Sequence, residues 1–154
     1  MTKYQKTYIF DLDKCLYFNT TENKRRNKKI KKLLKLLNGT KYIFSNATKK
    51  YVNYALKSMN IENEFKRIAT KSNFYYVKPD KKSYKYVIKE FNIKRSNPPI
   101  FFDDKVKNLK TAKLFGWYTV LISPTYIKNH KYIDLTFHDI ETAMNFFIMY
   151  NTYG

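Results

Sequence analysis

The chain has 154 residues, of which 44% are hydrophobic, and this length suits one domain with a substantial core; we expect residues 1–154 to form a single domain. It contains no stretch of 18 apolar residues and no apolar leader at its start, so we expect neither a membrane span nor secretion. The lone cysteine, Cys15, excludes a disulfide framework within the chain and indicates a reducing, cytoplasmic compartment.

The charge of the chain is strongly positive. Lysine and arginine number 31 against 12 aspartate and glutamate, which gives a net charge of +19. This balance favours a partner that carries phosphates, such as a nucleotide, a nucleic acid or another anionic surface. The chain is also rich in Lys, Asn, Ile, Tyr and Phe, which AT-rich genes favour, so codon usage explains the lysines equally well. Both interpretations stay open.

Short apolar runs alternate with amphipathic stretches along the chain. The continuous runs are typical of strands covered on both faces, and the stripes at i, i+3, i+4 and i+7 are typical of helices. Their alternation predicts an α/β fold, a Rossmann-like three-layer sandwich with a central parallel sheet and helices on both faces. We predict strands at 8–10, 42–44, 74–77, 100–102, 118–122 and 134–137, and helices at 24–37, 52–59, 84–91 and 140–147.

The first predicted helix has a basic outer face. Its apolar residues Ile30, Leu33, Leu34 and Leu37 lie on one side, while lysine and arginine occupy the rest of the segment. The basic face is either the solvated side of an ordinary packed helix or a surface that binds nucleic acid or a membrane. The sequence alone does not decide between these alternatives.

Polar residues follow four of the apolar runs, at the point where each predicted strand ends. In an open parallel sheet, ligands bind outside the carboxyl ends of the strands, so one edge of this sheet would collect these side chains. We expect them to stand clear of the strands rather than to be buried in them. The set comprises Asp11, Asp13, Ser45, Lys78, Asp103 and Asp104.

Such a set has a definite chemistry. Carboxylates gathered at one edge repel each other and raise each other's pKa, and a divalent cation removes that repulsion. Oxygen ligands without a nearby cluster of His and Cys favour Mg²⁺ over zinc. Ser45 and Lys78 add a hydroxyl and a positive charge, which together suit a phosphate group. An aspartate beside them is a competent nucleophile for phosphoryl transfer.

Four segments, in chain order, carry a family resemblance: YIFDLDKCLY (8–17), IFSNAT (43–48), VKPD (77–80) and FFDDKVKN (101–108). They resemble the four motifs of the haloacid dehalogenase-like (HAD) phosphohydrolases, and the first and last are similar to those of its nucleotidase-like branch. The resemblance implies an Mg²⁺-dependent phosphatase that works through an aspartyl-phosphate. Lys14 and Lys105 stand where the family usually has smaller residues, and this change removes no catalytic group.

The resemblance also implies catalytic and metal-binding roles for three aspartates. Asp11 matches the nucleophile, which also binds Mg²⁺. Asp13 matches the general acid and base, with its backbone carbonyl on the metal. Asp103 matches the metal-binding acid of the fourth motif.

The remaining matched positions are implied to bind phosphate or to support the site. Ser45 and Asn46 match the phosphate-binding second motif. Lys78 matches the lysine that holds both the nucleophile and the transferring phosphoryl group. Supporting roles fall to Asp104 and Asn108.

The segments between these motifs are too short to hold a cap domain, so we expect a capless, open site with at most a short flap at 16–24. Caps exclude water and read small substrates. Without one, specificity would come from a large substrate or from a second copy of the chain acting as a lid, so a homo-oligomer stays open. Together with the charge, this favours a nucleotide or a nucleic-acid end as substrate, with aromatic side chains available for base stacking.

The alternative hypothesis is a catalytically weak HAD-like module that binds nucleic acid through its basic surface. The net charge and the basic segment at 24–37 support it. The intact pair Asp11 and Asp13 opposes it, because a pure binding module needs neither carboxylate.

Overall fold

The computed structural model describes residues 5–18, 23–73, 75–125, 127 and 130–153. Strands and helices alternate along these residues, and one turn of 3-10 helix lies at Glu62–Glu64. The elements are β1 (Thr7–Phe10), α1 (Lys24–Leu36), β2 (Thr40–Phe44), α2 (Lys49–Ser58), β3 (Arg67–Ala69), α3 (Lys81–Glu90), β4 (Ile100–Asp103), α4 (Val106–Leu114), β5 (Tyr118–Ile122), β6 (Leu135–Phe137) and α5 (Ile140–Tyr153).

The six strands form one parallel sheet in the order β3-β2-β1-β4-β5-β6. The chain first builds outward from β1 to β3 and then crosses back to place β4 on the other side of β1. The direction of winding therefore reverses between β1 and β4. In sheets of this kind, that reversal opens a crevice outside the carboxyl ends of the two strands.

Helices cover both faces of the sheet, because alternate residues of each strand point to opposite sides. Tyr8 and Phe10 belong to a core shared with α1, α2 and α5, whereas Ile9 belongs to a second core shared with α3 and α4. Aromatic rings fill much of the first core; the rings of Phe10 and Phe102, for example, stack with their centroids 4.8 Å apart. The predicted α/β, Rossmann-like three-layer sandwich is confirmed.

Local sequence explains where the helices beside the crevice begin. Thr48 caps α2, and its side chain accepts a hydrogen bond from the backbone N–H of Tyr51. Asp80 caps α3 in the same way, accepting from the N–H of Lys82. Thr48 is the last residue of the second sequence segment described above, and Asp80 is the last residue of the third. Each of these segments therefore ends at the N-cap of a helix.

Arg26 of α1 ties the loop after β1 to the last helix. Its guanidinium donates to the carbonyl oxygens of Leu16 (2.9 Å) and Cys15 (3.4 Å). The same group makes an ion pair of 3.2 Å with Glu141 in the first turn of α5. One side chain therefore joins the loop, α1 and α5.

The structure differs from the prediction in one strand and one helix. The strand predicted at 74–77 is wrong: residues 75–77 form a loop, Phe74 lies outside the described residues, and the strand of this region is β3. Helix α4 was not predicted, because its apolar residues are spaced too sparsely among lysines to form a clear stripe. Residues 19–22 of the predicted flap at 16–24 also lie outside the described residues.

The helices of the described residues are all short. The longest is α5 with 14 residues, whereas crossing a bilayer takes about 20 apolar residues in a helix. None of the helices within the described ranges is long and apolar enough to cross a membrane.

Gly39 lies where β1 and β2 begin to pair, and we expect Gly39→Ala to destabilise the fold. A Cβ atom there would lie 2.5 Å from the backbone oxygen of Lys6 and 2.8 Å from the ring of Tyr8. Relieving this overlap must shift backbone, so the free energy of unfolding should fall by about 1–3 kcal/mol. Urea unfolding measures the change against Asn38→Ala at the exposed neighbouring position. Equal midpoints for the two variants would contradict the prediction.

Candidate active site

A buried ammonium group lies at the centre of the crevice. The Nζ atom of Lys78 donates to Asp11 Oδ1 (3.0 Å), Asp103 Oδ2 (2.9 Å) and the carbonyl oxygen of Phe44 (2.7 Å). Burial alone would lower the pKa of Lys78, but the charges of Asp103 and Asp11 outweigh it and hold the pKa above its ordinary value. The lysine therefore stays charged and links the carboxyl ends of β1, β2 and β4.

Lys78 reaches this position from the loop before α3, and Asn46 holds that loop in place. The side-chain amide of Asn46 donates to the carbonyl of Lys78 (3.0 Å), and its oxygen accepts from the backbone N–H of Lys78 (2.9 Å). Thr111 of α4 donates to the carbonyl of Pro79 at 2.9 Å. The second sequence segment and helix α4 thus position the third segment.

Asp11 and Asp103 are buried, with 8% and 0% of their surface exposed. The expectation that the carboxylates stand clear of the strands is therefore wrong for these two, because Lys78 compensates their charges inside the protein. Burial raises the pKa of Asp11 well above its ordinary value; Lys78 opposes this rise, and Asp103 adds to it. Burial likewise raises the pKa of the half-buried Asp104, which shares a side-chain hydrogen bond with Asp11.

Both carboxylate oxygens of Asp103 accept hydrogen bonds. Its Oδ1 accepts from the backbone N–H of Lys105 at 2.9 Å, and its Oδ2 accepts from Asn108 Nδ2 at 3.1 Å as well as from Lys78. The Oδ1 atom of Asn108 is buried and has no hydrogen-bond partner within the described residues. An unsatisfied buried oxygen is costly, and it suits a site that takes up a donor or a cation.

The carboxylates fit a divalent cation. One oxygen from each of Asp11, Asp103 and Asp104 can be chosen so that all three lie within 4.8 Å of one another. The donors are oxygens only, which suits Mg²⁺. The side chain of Asp13 lies outside this cluster. This is compatible with metal binding through the backbone carbonyl of Asp13 and leaves its carboxylate available for other chemistry.

Asp13 and Ser45 both line the crevice, Asp13 with an exposed side chain and Ser45 with a buried one. The exposed carboxylate of Asp13 accepts a 2.7 Å hydrogen bond from the hydroxyl of Tyr51. Ser45 is buried and accepts from the backbone N–H of Ala47 at 3.0 Å, which leaves its own hydroxyl hydrogen available to donate. Tyr51 was not predicted as a site residue. Its position in the first turn of the helix that follows the second segment is the feature of the sequence that could have indicated it.

These side chains line one cleft of about 240 Å³. Lys14 and Lys105 also border it, so two exposed cations flank the acidic floor. All the site residues predicted from sequence line this cleft except Asp103, which lies buried beside it. The lining residues are Asp11, Asp13, Lys14, Ser45, Asn46, Ala47, Lys78, Asp104, Lys105 and Asn108.

Comparison with protein families bears on the family resemblance of the four sequence segments. Residues 17–122 match the family model described as haloacid dehalogenase-like hydrolase. This chain belongs to the haloacid dehalogenase-like hydrolases. The matched range starts after Asp11 and Asp13. The interpretation of the first segment of this HAD-like hydrolase therefore depends on the geometry of the site and not on the family match. Among curated proteins, no sequence matches the chain significantly.

Solved structures share the fold of this HAD-like hydrolase at low sequence identity. The HAD-hydrolase YfnB from Bacillus subtilis, bound to magnesium, has a TM-score of 0.73 at 13% identity, over 94% of this chain and 99% of its own. The core domain of a Streptococcus pneumoniae protein assigned as a phosphoglycolate phosphatase has a TM-score of 0.63 at 18% identity, over 94% and 96%.

A third structural relative has a different activity. The L-2-haloacid dehalogenase from Xanthobacter autotrophicus, with chloropropionic acid covalently bound, has a TM-score of 0.64 at 13% identity. The match covers 74% of this chain and 57% of the dehalogenase, so the HAD-like hydrolase spans little more than half of that enzyme. At these identities the likeness shows the fold alone.

Proposed function

We propose that this HAD-like hydrolase is an Mg²⁺-dependent phosphatase that cleaves a phosphomonoester through an aspartyl-phosphate on Asp11, acting as a single capless domain. The observation that carries the proposal is the buried contact of Lys78 with both Asp11 and Asp103, beside the three-carboxylate cluster. A nucleophilic carboxylate must approach an anionic phosphate, and this arrangement supplies the compensating positive charge at that point.

Asp11 and Asp13 carry the chemistry in this proposal. Asp11 attacks phosphorus while the bond from phosphorus to the leaving oxygen breaks, and Asp13 gives that oxygen a proton. Asp13 then removes a proton from the water that cleaves the aspartyl-phosphate. Its exposed position at the mouth of the cleft supports both steps, because leaving group and water enter there.

The phosphate would be held by other groups that line the cleft. Ser45 offers its hydroxyl and Lys78 its charge, while Asn46 keeps Lys78 in place and adds its own backbone N–H. Asp11, Asp103 and the backbone carbonyl of Asp13 would hold Mg²⁺. Asp104 and Asn108 are proposed to support them. The bound metal would supply charge neutralisation for the phosphoryl oxygens.

A nucleotide or a nucleic-acid end is the proposed substrate. Three features support it: the net charge of +19, the open cleft, and an aromatic segment directly before Lys78. In that segment Tyr75 is 95% exposed, and the ring of Tyr76 lies under the ammonium of Lys82 at 4.1 Å. An exposed ring three residues before the lysine proposed to hold the phosphate is suited to stacking on a base.

The second candidate function is a nucleic-acid-binding module with weak catalysis. The observation that favours it is the exposed basic face of α1, which runs the length of the helix. Phosphate contacts from such a face would make binding fall steeply with salt. Its exposed cations are Lys24, Arg25, Lys28, Lys29, Lys32 and Lys35.

Phosphate release with Mg²⁺ or with chelator tests the proposal. The substrates are p-nitrophenyl phosphate, mononucleotides and 5′- or 3′-phosphorylated oligonucleotides, and chloride release from 2-chloropropionate is followed alongside. We expect metal-dependent phosphate release that is fastest on a nucleotide or an oligonucleotide. Chloride release without phosphate release would overturn the proposal in favour of dehalogenation. Oligonucleotide binding without any hydrolysis would favour the binding module.

Tyr75→Ala should weaken nucleotide binding without changing the chemistry. Loss of a base stack worth about 1–2 kcal/mol would raise KM for a mononucleotide about 5- to 30-fold at unchanged kcat. Glycerol 2-phosphate has no base, so its KM should stay the same. Tyr54→Ala, at an exposed tyrosine of α2, is the control. An unchanged KM for mononucleotides would show that the base does not stack on Tyr75.

A further inference from the structure

We propose that Tyr51 is a positioning residue that holds the carboxyl group of Asp13 in the orientation needed for proton transfer. The inference rests on the proposed phosphatase function and adds a residue to its machinery. It starts from one contact, the 2.7 Å hydrogen bond from the Tyr51 hydroxyl to Asp13 Oδ1. A hydroxyl that donates to a carboxylate makes one of the stronger hydrogen bonds found in proteins.

Asp13 needs such a partner because its side chain is exposed. An exposed carboxylate without a fixed hydrogen bond samples several rotamers, and only some of them point toward the leaving oxygen. Because Tyr51 occupies one oxygen of Asp13, the other remains available to carry the proton.

Tyr51 is itself held from two sides. Its backbone N–H donates to the side-chain oxygen of Thr48 at 3.2 Å, which places it in the first turn of α2. Its ring meets the edge of the Tyr17 ring, with centroids 6.0 Å apart and planes at 78°. The hydroxyl therefore projects from a fixed helix end toward β1.

The backbone of Asp13 is fixed by the same neighbourhood. Asp13 forms an isolated bridge with Tyr17, and the N–H of Lys14 donates to the Tyr17 carbonyl at 2.9 Å. Tyr17 thus contributes its backbone to the turn that carries Asp13 and its ring to the support of Tyr51. The turn and the tyrosine hydroxyl together fix Asp13 in position and in rotation.

The role is specific to one event in the reaction. In the first step an oxygen of Asp11 bonds to phosphorus, the bond to the leaving oxygen breaks, and the Asp13 proton passes to that oxygen. An alkoxide leaving group depends on this proton, whereas p-nitrophenolate is stable without it. When the departure of the leaving group is irreversible, kcat/KM reports on the steps up to and including this one and not on the later hydrolysis of the aspartyl-phosphate.

The test compares Tyr51→Phe with wild type on two substrates. Phenylalanine keeps the ring against Tyr17 and removes only the hydroxyl. On the alkyl phosphate that wild type cleaves fastest, we expect kcat/KM to fall about 10- to 100-fold, within the range of general acid catalysis. On p-nitrophenyl phosphate, the fall should stay below about threefold. Tyr54→Phe, on the exposed side of the same helix, should match wild type on both substrates.

A second measurement asks whether Tyr51 acts through Asp13. In an Asp13→Asn background, Tyr51→Phe should cause no further loss of kcat/KM on the alkyl phosphate, since residues that act as a unit are not additive. Equal losses on both substrates, or additive losses in the double variant, would overturn the inference while phosphatase activity stands. A wild-type protein that cleaves no phosphomonoester would overturn the proposed function, and this inference with it.

Discussion

Asp11→Asn should abolish phosphate release while leaving the fold intact. The substitution keeps the size of the side chain and an oxygen that can still accept the hydrogen bond of Lys78, but it removes the nucleophile. Loss of a nucleophile costs several orders of magnitude in kcat, and we expect about 10⁴-fold or more here. The measurement is phosphate release with Mg²⁺, together with acid quenching of labelled substrate to detect phosphate bound to the wild-type protein.

The matched control for this variant is Asp139→Asn, at the start of α5. Asp139 accepts a 2.8 Å hydrogen bond from the backbone N–H of Thr142, a capping role that asparagine fulfils equally well. This variant should keep full activity and stability. Retention of most activity by Asp11→Asn would contradict the aspartyl-phosphate mechanism.

Lys78→Met should remove activity and also destabilise the protein strongly. It leaves Asp11 and Asp103 buried without a cation and removes the donor to the Phe44 carbonyl. Breaking a buried ion pair by deleting one partner costs about 3–5 kcal/mol, and we expect a loss of this size in metal-free buffer. Urea unfolding with chelator measures it, and phosphate release measures the activity.

Magnesium provides a second readout for the same variant. Because the uncompensated carboxylates would bind a cation to relieve their repulsion, Mg²⁺ should stabilise Lys78→Met more than it stabilises wild type. Lys85→Met, at an exposed lysine of α3, should leave stability and its magnesium dependence as in wild type. An unchanged metal-free midpoint for Lys78→Met would mean that the lysine does not compensate these charges.

The residues at the carboxyl ends of β1, β2 and β4 could be predicted because apolar runs that stop at a polar residue are visible in the sequence. The prediction from the third run was wrong because tyrosines contribute to an apolar pattern, whereas Tyr75 and Tyr76 are exposed. The polar hydroxyl group of tyrosine lets its side chain lie at the surface. The real strand, β3, has three residues with one fully buried, which is too short for a periodic pattern.

The electrostatics of the site could not be predicted from the order of residues. Asp103 can be fully buried because Lys78 compensates its charge. Lys78 lies 25 positions earlier in the chain, in a different loop. The contact of Tyr51 with Asp13 spans 38 positions and depends on how α2 meets β1. Contacts of this kind are set by tertiary packing, and a single sequence carries no local sign of them.

Arg26 has a consequence for the order of events during synthesis. The loop beside Asp13 is held through Arg26 to Glu141, which lies 115 positions later. Ribosomes add residues one by one and domains fold as they emerge, so every catalytic side chain is made before this anchor exists. A nascent chain that lacks α5 therefore carries all the reactive groups but a less restrained loop. Hydrogen exchange at residues 14–17 should be faster in such a chain than in the finished protein.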